Sequence, residues 1–317
     1  MERVRAALTA AFGAAPMGAV TAVAGGATSA SLFRAEIGGR PYLVRFEGEP
    51  SPLRNPHQYE SLRIAADAGI APKLFHVDEK HGIAVMDFIE QRPLRAYPGG
   101  AQALARAVGT LLRRLQETPL FPHFVDYPDI VARLFAHVRG TGLFAEGLLD
   151  AHAERLARIQ ERLERVTPVS AHNDPSPRNI LFDGERLWLI DWESAYRNDP
   201  LADVAIALDN LAPSPELEDV LLRSWLGRAP DAALRARLTP IRALTRLWYA
   251  GVLLSASATM PHTTPDADLS APTLAQFLEA VREGRLKPRT LETVHTMGKM
   301  YLAGFLCGDA VPALDAI

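Results

Sequence analysis

The sequence is poor in cysteine, in long apolar runs and in net charge. Cys307 is the single cysteine, which excludes an intramolecular disulfide and a cysteine-rich zinc site and favours a reducing, cytoplasmic location. No stretch approaches about 20 uninterrupted apolar residues, so we expect no membrane-spanning helix. A formal net charge of −3 gives no general attraction for nucleic acid, and nothing indicates an obligatory protein partner.

Lysine is also scarce, and no lysine precedes Lys73. Any role that needs a cation earlier in the chain must therefore fall to an arginine. What is present is otherwise ordinary, since 48% of residues are hydrophobic and 22% are charged. This composition excludes a disordered chain, a collagen and a coiled coil, and 317 residues are enough for two domains.

The first ninety residues are predicted to be mainly strands. An amphipathic helix, Glu2–Phe12, begins the chain, because Glu2 and the lack of a leucine-rich stretch argue against an export signal. A second helix is expected after the cap-like pair Asn55-Pro56 and should end near Gly69. The predicted strands are Ala19–Ala24, Ser31–Ile37, Tyr42–Phe46, Leu74–Val77 and Ile83–Asp87.

Helical periodicity dominates the rest of the chain. A short β-rich segment, residues 168–191, interrupts it, and helices resume at Pro200. Pro240 and residues 261–272 are predicted to separate the late helices. The order favours an α+β fold with a small β-rich lobe, residues 1–90, and a larger helical lobe, residues 91–317. The earlier helices are predicted at Ala101–Glu117, Ile130–Arg139 and Glu146–Val166.

The β-rich segment carries a group of polar residues at short spacing. His172, Asp174 and Asn179 share one loop, and Asp191 directly follows an apolar strand. A hairpin closed around Asp183-Gly184 would bring Asn179 and Asp191 together. An amide oxygen beside a carboxylate suits Mg²⁺ that also binds phosphate oxygens, and Asp174 stays free to accept a proton from a hydroxyl. The set fits phosphoryl transfer; the alternative is a polar loop whose side chains merely form turns.

The two motifs resemble a known superfamily. His172-x-Asp174-x4-Asn179, followed by Ile190-Asp191-Trp192-Glu193, is similar to the catalytic and metal-binding segments of aminoglycoside phosphotransferases and choline/ethanolamine kinases. These enzymes are relatives of protein kinases, so the resemblance implies a protein-kinase-like fold of two lobes. It also implies an enzyme that uses ATP and Mg²⁺ to phosphorylate a small-molecule alcohol.

The resemblance assigns roles to the motif residues. Asp174 would be the catalytic base, with Asn179 and Asp191 as the Mg²⁺ ligands. His172 would support the loop, and Asp203 would be a buried support beneath it. Two hypotheses stay open for Glu193: it is an outer carboxylate of the metal site, or it is a carboxylate that binds substrate.

Three further features of the first lobe are similar to the family and would bind the nucleotide. A glycine loop contains Gly25, Gly26, Thr28 and Ser29, whose N–H and hydroxyl groups could bind phosphate oxygens. Arg45 occupies the position of the strand cation, where protein kinases have lysine, and Glu60 on the following helix would hold it. The alternatives are a solvated Arg45 and an ordinary surface Glu60. The hinge would be Asp87, Phe88 and Ile89.

The acceptor is less clear from the sequence. Aromatic candidates for a cation-binding pocket are Tyr196, Trp248 and Tyr249, although plain core packing of the last two is an alternative. The acidic residues that an aminoglycoside pocket would need, Asp209, Glu216, Glu218 and Asp219, fit a solvated face better.

Arg45, the glycine loop and the segment Gly69-Ile-Ala-Pro72 resemble those of choline and ethanolamine kinases, and this resemblance favours choline, ethanolamine or a related amino alcohol as the acceptor. An aminoglycoside, thiamine or sugar kinase on the same scaffold, and a nucleotide-binding pseudokinase, are the alternatives.

Overall fold

A computed structural model describes residues 1–23, 30–49, 53–259 and 264–315. Its N-terminal part is a five-stranded antiparallel sheet in the order β1-β2-β3-β5-β4. The strands confirm the sequence prediction within a few residues at their ends. Their bounds are β1 Met17–Ala22, β2 Ser31–Ile37, β3 Arg40–Phe46, β4 Leu74–Asp78 and β5 Ile83–Asp87.

One helix packs against each face of this sheet. Helix α1, Glu2–Phe12, covers the face that contains Val44 and Phe46, and α2, Gln58–Asp67, lies on the other side. Because side chains alternate along a strand, Arg45 points to the face opposite Val44 and Phe46. This alternation directs the Arg45 guanidinium toward the helical part of the chain.

The start of α2 differs from the prediction. The helix begins at Gln58, so Asn55 is not its N-cap. Asn55 instead accepts the His57 N–H and donates to the Ala195 carbonyl oxygen at 2.5 Å, while its own N–H donates to the Glu193 carbonyl oxygen at 2.7 Å. The Asn55 side chain is used to fasten the N-terminal part to the segment after Asp191, which a local capping rule does not anticipate.

The C-terminal part contains eight of the helices that the structure describes and two small antiparallel strand pairs, β6 with β9 and β7 with β8. The predicted helix Glu146–Val166 is shorter than expected, because α5 ends at Arg162. The elements are α3 Gly100–Gln116, α4 Tyr127–Gly140, α5 Asp150–Arg162, β6 Val169–Ala171, β7 Ile180–Phe182, β8 Leu187–Leu189, β9 Tyr196–Asn198, α6 Leu201–Leu211, α7 Pro215–Leu226, α8 Ala232–Ser257, α9 Leu274–Arg282 and α10 Leu291–Cys307.

Two large apolar cores hold this part together. The first joins α2 and the sheet to α3, the β7–β8 hairpin, α6 and α7. It therefore connects the N-terminal part of the protein to the C-terminal part. The second lies among α4, α5, α8, α9 and α10. The catalytic-motif segment runs between these cores and is therefore held from both sides.

The predicted break at Pro240 is wrong. Proline costs a helix interior about 3 kcal/mol, yet α8 continues through Pro240 without ending. Leu238 and Ile241 beside it are buried in the first core, and the later turns of α8 pack in the second core. Burial of the helix from Leu238 onward therefore outweighs the lost backbone hydrogen bond.

The α+β architecture is confirmed, with a sheet first and helices after it. The boundary between residues 1–90 and 91–317 stays a prediction. Within the described ranges, none of the helices combines the length and the apolar character that crossing a bilayer requires.

Candidate active site

The loop after β6 is shaped by one buried carboxylate. Asp203, at the start of α6, is fully buried and accepts the His172 N–H at 2.8 Å and the Asn173 N–H at 2.7 Å. Asn173 takes a left-handed φ of 63°, which asparagine tolerates better than most residues, and its amide donates to the Ser194 and Tyr196 carbonyl oxygens. Burial raises the pKa of Asp203 to about 6.

His172 lies beneath this loop. Its ring is fully buried beside the Trp192 ring, and Nε2 lies 2.8 Å from the Ile190 carbonyl oxygen. Burial lowers the pKa of His172 to about 4, so the imidazole is neutral at physiological pH. A neutral ring that contacts a backbone carbonyl fixes the loop's position, and its place beneath the loop is the one predicted for a supporting residue.

Asp174 faces the open side of the loop with both oxygens engaged. Oδ1 accepts the Tyr249 hydroxyl at 2.6 Å, and Oδ2 accepts the Asn179 amide at 2.8 Å. Burial is the main cause that raises its pKa to about 7, the nearby Asp191 raises it further, and the Tyr249 hydrogen bond opposes this shift. A carboxylate with a pKa near neutrality is well matched to accept a proton from an alcohol.

The β7–β8 hairpin brings Asn179 and Asp191 together. Ile180 pairs with Leu189, and the Ile190 N–H donates to the Asn179 carbonyl oxygen at 3.0 Å, so the two residues flank the open end of the hairpin. Asp191 takes a left-handed φ of 64°, a conformation that costs energy and is found preferentially at functional sites.

These two side chains fit a magnesium ion that is shared with a nucleotide. Asn179 uses its amide nitrogen on Asp174, which leaves the amide oxygen for a metal, and Asp191 supplies a carboxylate. No group of three or more His, Cys, Asp or Glu side chains could hold a metal in the described part of the chain. Magnesium needs no such closed group, because phosphate oxygens and water complete its octahedron.

Two arginines face two carboxylates at the junction with the sheet. Arg45 Nη2 lies 3.4 Å from Asp191 Oδ1 and 3.7 Å from Glu193 Oε2. Arg54 Nε lies 3.5 Å from the same Glu193 oxygen. Burial raises the pKa of both Asp191 and Glu193, and the arginines oppose that shift. We call these four residues the arginine side of the site.

The predicted pairing of Glu60 with Arg45 is wrong. Glu60 is exposed, and among the described residues the carboxylates that contact Arg45 belong to Asp191 and Glu193. The buried face of α2 contains Gln58, Tyr59 and Leu62, and Glu60 falls on the opposite face. The position of Glu60 in the helical repeat of α2 therefore directs its side chain away from Arg45.

The other nucleotide residues have mixed outcomes. Phe88 and Ile89 follow β5 and are half-buried, and their role as the hinge stays a prediction. The Asp87 N–H already donates to the Lys73 carbonyl oxygen at 2.9 Å, so this N–H is not available to a base. The predicted glycine loop, with Gly25, Gly26, Thr28 and Ser29, lies outside the described residues.

Aromatic side chains form the opposite side of Asp174. Tyr249 contacts the carboxylate directly, whereas Trp248 turns into the second core, where its ring centroid lies 6.2 Å from that of Tyr127. The Tyr127 hydroxyl is buried and has no hydrogen-bond partner among the described residues. Burial is the main cause that raises the pKa of Tyr127, and the nearby Tyr196, Asp203 and Asp174 raise it further. We call Tyr127 and Tyr249 the tyrosine side.

Tyr196, predicted as a substrate residue, is packed in the core. It is 3% exposed, and its ring meets the edge of Phe124 at 5.6 Å. Its carbonyl oxygen accepts from Asn173, so the residue is placed to support the loop.

Sequence reasoning missed Arg54 and Tyr127. The only sequence signal for Arg54 was its place in a short loop before a helix. Tyr127 precedes a first-turn proline and carries no motif.

A phosphotransferase enzyme family, APH, matches residues 19–240, which is more than half of the chain and includes the arginine side and Asp174. The chain belongs to this family. The expected enzyme class, a phosphotransferase, is thereby confirmed, and so is the superfamily that the motifs resemble.

Known relatives of this phosphotransferase are similar along much of its length. Protein LicA of Haemophilus influenzae is 24% identical over 197 residues, covering 60% of this chain and 73% of LicA. A choline/ethanolamine kinase family protein from Mesorhizobium loti has a TM-score of 0.69 at 20% identity, covering 97% and 95% of the two chains. The choline kinase LicA from Streptococcus pneumoniae has a TM-score of 0.66 at 16% identity, covering 96% and 98%.

A nucleotide complex is also among the similar structures. LicA in complex with AMP has a TM-score of 0.64 at 15% identity and covers 96% of each chain. At these identities the solved structures establish the fold of the phosphotransferase and leave its substrate open.

Proposed function

We propose that this phosphotransferase transfers the γ-phosphoryl group of ATP to the hydroxyl of a small cationic alcohol, with Asp174 as the base. The observation that carries the proposal is the position of Asp174, which stands between the arginine side and the tyrosine side. Charged groups on one side suit phosphates, and aromatic rings on the other suit an organic cation.

The alcohol oxygen forms a bond to the γ-phosphorus, while the bond from that phosphorus to the β–γ bridging oxygen breaks and ADP leaves. The alcohol proton passes to a carboxylate oxygen of Asp174 and then to solvent. The role of Asp174 is to orient the hydroxyl and to hold this proton, for which a pKa of about 7 is suitable.

Asn179 and Asp191 would hold Mg²⁺ when the nucleotide binds. The metal would neutralise charge on the phosphate oxygens. Arg45, which now contacts Asp191, is close enough to exchange that carboxylate for a phosphate, and its fork of N–H groups suits bidentate binding of phosphate oxygens. Glu193 stays in contact with Arg54, which favours an electrostatic role on the arginine side over direct contact with the acceptor.

The acidic residues of the late helices argue against a polycationic acceptor. Asp209 pairs with Arg242 and Arg246, and Glu218 pairs with Arg242. Asp219 pairs with Arg223 and Arg235, so it is also neutralised. An antibiotic with several ammonium groups would find these carboxylates already paired, whereas an alcohol with one cationic group needs only rings and Asp174. Choline, ethanolamine or a related amino alcohol therefore fits best, as the resemblance of the sequence also suggests.

A substrate panel tests the proposal. ADP release from Mg·ATP would be measured with choline, ethanolamine, thiamine, several sugars and several aminoglycosides, and the phosphorylated product identified by mass spectrometry. We expect selective turnover of one amino alcohol. Turnover of a sugar or an aminoglycoside alone would contradict the acceptor class, and ATP binding without any transfer would support the pseudokinase alternative.

A further inference from the structure

Both oxygens of the Asp174 carboxylate are covered by side chains before any acceptor is present. The Tyr249 hydroxyl donates to Oδ1 at 2.6 Å and the Asn179 amide donates to Oδ2 at 2.8 Å. A hydroxyl that gives its proton to this base must itself lie about 2.6–3.2 Å from a carboxylate oxygen. The Tyr249 hydroxyl therefore occupies a position that the reacting hydroxyl needs.

The Tyr249 side chain is held firmly in this position. It is only 6% exposed, and its ring packs on the Tyr301 ring with the centroids 5.8 Å apart. Two residues later in sequence, Gly251 lets α8 approach α4 so closely that a Cβ there would lie 2.7 Å from the Leu134 side chain. Close packing on both sides of α8 aims the hydroxyl at the base.

Arg246 anchors the same helix turn. Its guanidinium bonds the Asp209 carboxylate through Nε at 2.7 Å and through Nη2 at 2.8 Å, and Nη1 donates to the Gly304 carbonyl oxygen. Because α8 is fixed to α6 and α10 in this way, a movement of α8 that separates Tyr249 from Asp174 would have a high free-energy cost.

We propose that the Tyr249 hydroxyl is a positioning group for Asp174 and covers this base against water until the acceptor alcohol binds. The inference rests on the proposed function, because it assigns a role toward the same base. Water that reached Asp174 could attack the γ-phosphorus, pass its proton to the carboxylate, and release ADP and inorganic phosphate. That reaction would consume ATP without forming product.

The acceptor alcohol can displace the Tyr249 hydroxyl from its position beside Asp174 Oδ1, whereas water cannot. The part of the acceptor that does not react contacts the tyrosine side, and this binding offsets the cost of displacing or sharing the Tyr249 hydrogen bond. A water molecule makes no such additional contacts. Tyr249 would thus discriminate between the two possible nucleophiles without touching the phosphate.

The test is the ratio of two rates in purified full-length protein. ATP hydrolysis without acceptor and transfer to the alcohol identified by the panel would be measured for the wild type and for Tyr249→Phe. We expect the ratio of hydrolysis to transfer to rise about tenfold, the value for loss of one hydrogen bond to a charged group. The KM for Mg·ATP should change less than twofold, since Tyr249 is on the tyrosine side.

Tyr301→Phe is the matched control. It also removes one buried hydroxyl, which donates to the Pro312 carbonyl oxygen at 2.9 Å, from the ring that packs on Tyr249. We expect its ratio to equal that of the wild type. The imidazole in Tyr249→His is shorter than the phenol, so its ring nitrogens do not reach Asp174 Oδ1, and this variant should also raise the ratio, which keeps the inference testable if Tyr249→Phe does not fold.

The outcomes separate the inference from the proposed function. If the wild type transfers phosphate and Tyr249→Phe, or Tyr249→His where the phenylalanine variant does not fold, leaves no change in the ratio, the inference is wrong and the proposed function stands. An equal rise in Tyr301→Phe would also overturn it, because general loosening of α8 would then explain the effect. If the wild type transfers phosphate to none of the alcohols, the proposed function fails and the inference fails with it.

Discussion

On the arginine side of Asp174 charged groups oppose one another in pairs, whereas on the tyrosine side rings and hydroxyls surround the same base. Arg45 and Arg54 contact Asp191 and Glu193 at 3.4–3.7 Å. By contrast, Tyr127 has a buried hydroxyl without a partner in the described residues. On the arginine side, the arginines can exchange a carboxylate partner for another anion such as a phosphate. On the tyrosine side, the rings form a surface that selects the acceptor by its shape.

The difference predicts that substitutions on the two sides affect different kinetic constants. Changes on the arginine side should alter nucleotide binding and the metal dependence of transfer. Changes on the tyrosine side should alter the KM for the acceptor. The following experiments test this separation, beginning with the largest expected effect.

Asp191→Asn should reduce kcat for transfer by about a thousandfold or more, because a neutral amide loses most of the charge that a metal requires, worth several kcal/mol. The measurement is initial velocity as a function of Mg²⁺ concentration. Asp183→Asn, at the tip of the same hairpin, is the control, since an amide oxygen can still accept the two turn N–H groups that Oδ1 accepts, and the change costs only the Trp188 indole bond to Oδ2. A loss below tenfold in Asp191→Asn would remove this residue from the metal site.

Arg45→Met should raise the KM for ATP about 10- to 100-fold, the range for a hydrogen bond to a charged group, and leave the KM for the acceptor unchanged. Steady-state kinetics with each substrate varied in turn would measure both constants. Arg63→Met, which breaks the exposed pair with Glu79, should change neither. An effect of Arg45→Met on the acceptor alone would break the separation of the two sides.

Tyr127→Phe should raise the free energy of unfolding by about 1 kcal/mol, because the native state no longer buries an unpaired hydroxyl. If that hydroxyl binds the acceptor, the acceptor KM should rise about fivefold at the same time. Urea denaturation and kinetics give the two values. Tyr42→Phe, in the core under the sheet, is the control and should leave the acceptor KM unaltered. A stabler variant with an unchanged acceptor KM would remove Tyr127 from the acceptor site.

His152→Phe should make the protein less sensitive to acid. His152 is 2% exposed between the Phe135 and Phe305 rings in the core behind the tyrosine side, and burial lowers its pKa to about 4. Below pH 6.5 His152 is therefore protonated in the unfolded chain but stays neutral in the native state. The free energy of unfolding falls as the pH is lowered from 6.5 to 4, by up to about 3 kcal/mol.

Asp203 contributes with the opposite sign. Its pKa is raised to about 6, so the native state binds more protons than the unfolded chain between about pH 4 and 6 and gains stability as the pH falls there. Comparing melting temperatures of wild type and His152→Phe at pH 5 and 7.5 isolates the histidine, with a smaller drop of a few degrees expected in the variant. Exposed His123→Gln should behave as the wild type, and equal drops in all three would contradict a neutral buried His152.

Asp174 and the two metal-binding side chains were largely predictable from the sequence, and the reason is local. Asp174, Asn179 and Asp191 lie within one loop and one hairpin, so spacing alone indicates that they meet. The alternation of β3 oriented Arg45. The prediction for Glu60 was wrong because α2 begins at Gln58, which places Glu60 on the exposed face of the helix.

The tyrosine side was less predictable because its members are far apart in the chain. Tyr127 and Tyr249 come from α4 and α8, and no local spacing relates them. The aromatic pattern of α8 indicated a buried face, but it did not show that Tyr249 reaches Asp174 while Trp248 packs in the core. Only the packing of α4, α8 and α10 around the loop decides which ring reaches the base.

The most direct test of the account is single-turnover transfer of the γ-phosphoryl group to the alcohol from the panel, in wild type and Asp174→Asn, with Mg·ATP binding measured in both. The account predicts equal binding within a few-fold and a transfer rate lower by about 10²- to 10⁴-fold in the variant, the range for loss of a general base. Transfer at the wild-type rate by Asp174→Asn would contradict the role of Asp174, and with it the division of the site into two sides around this base.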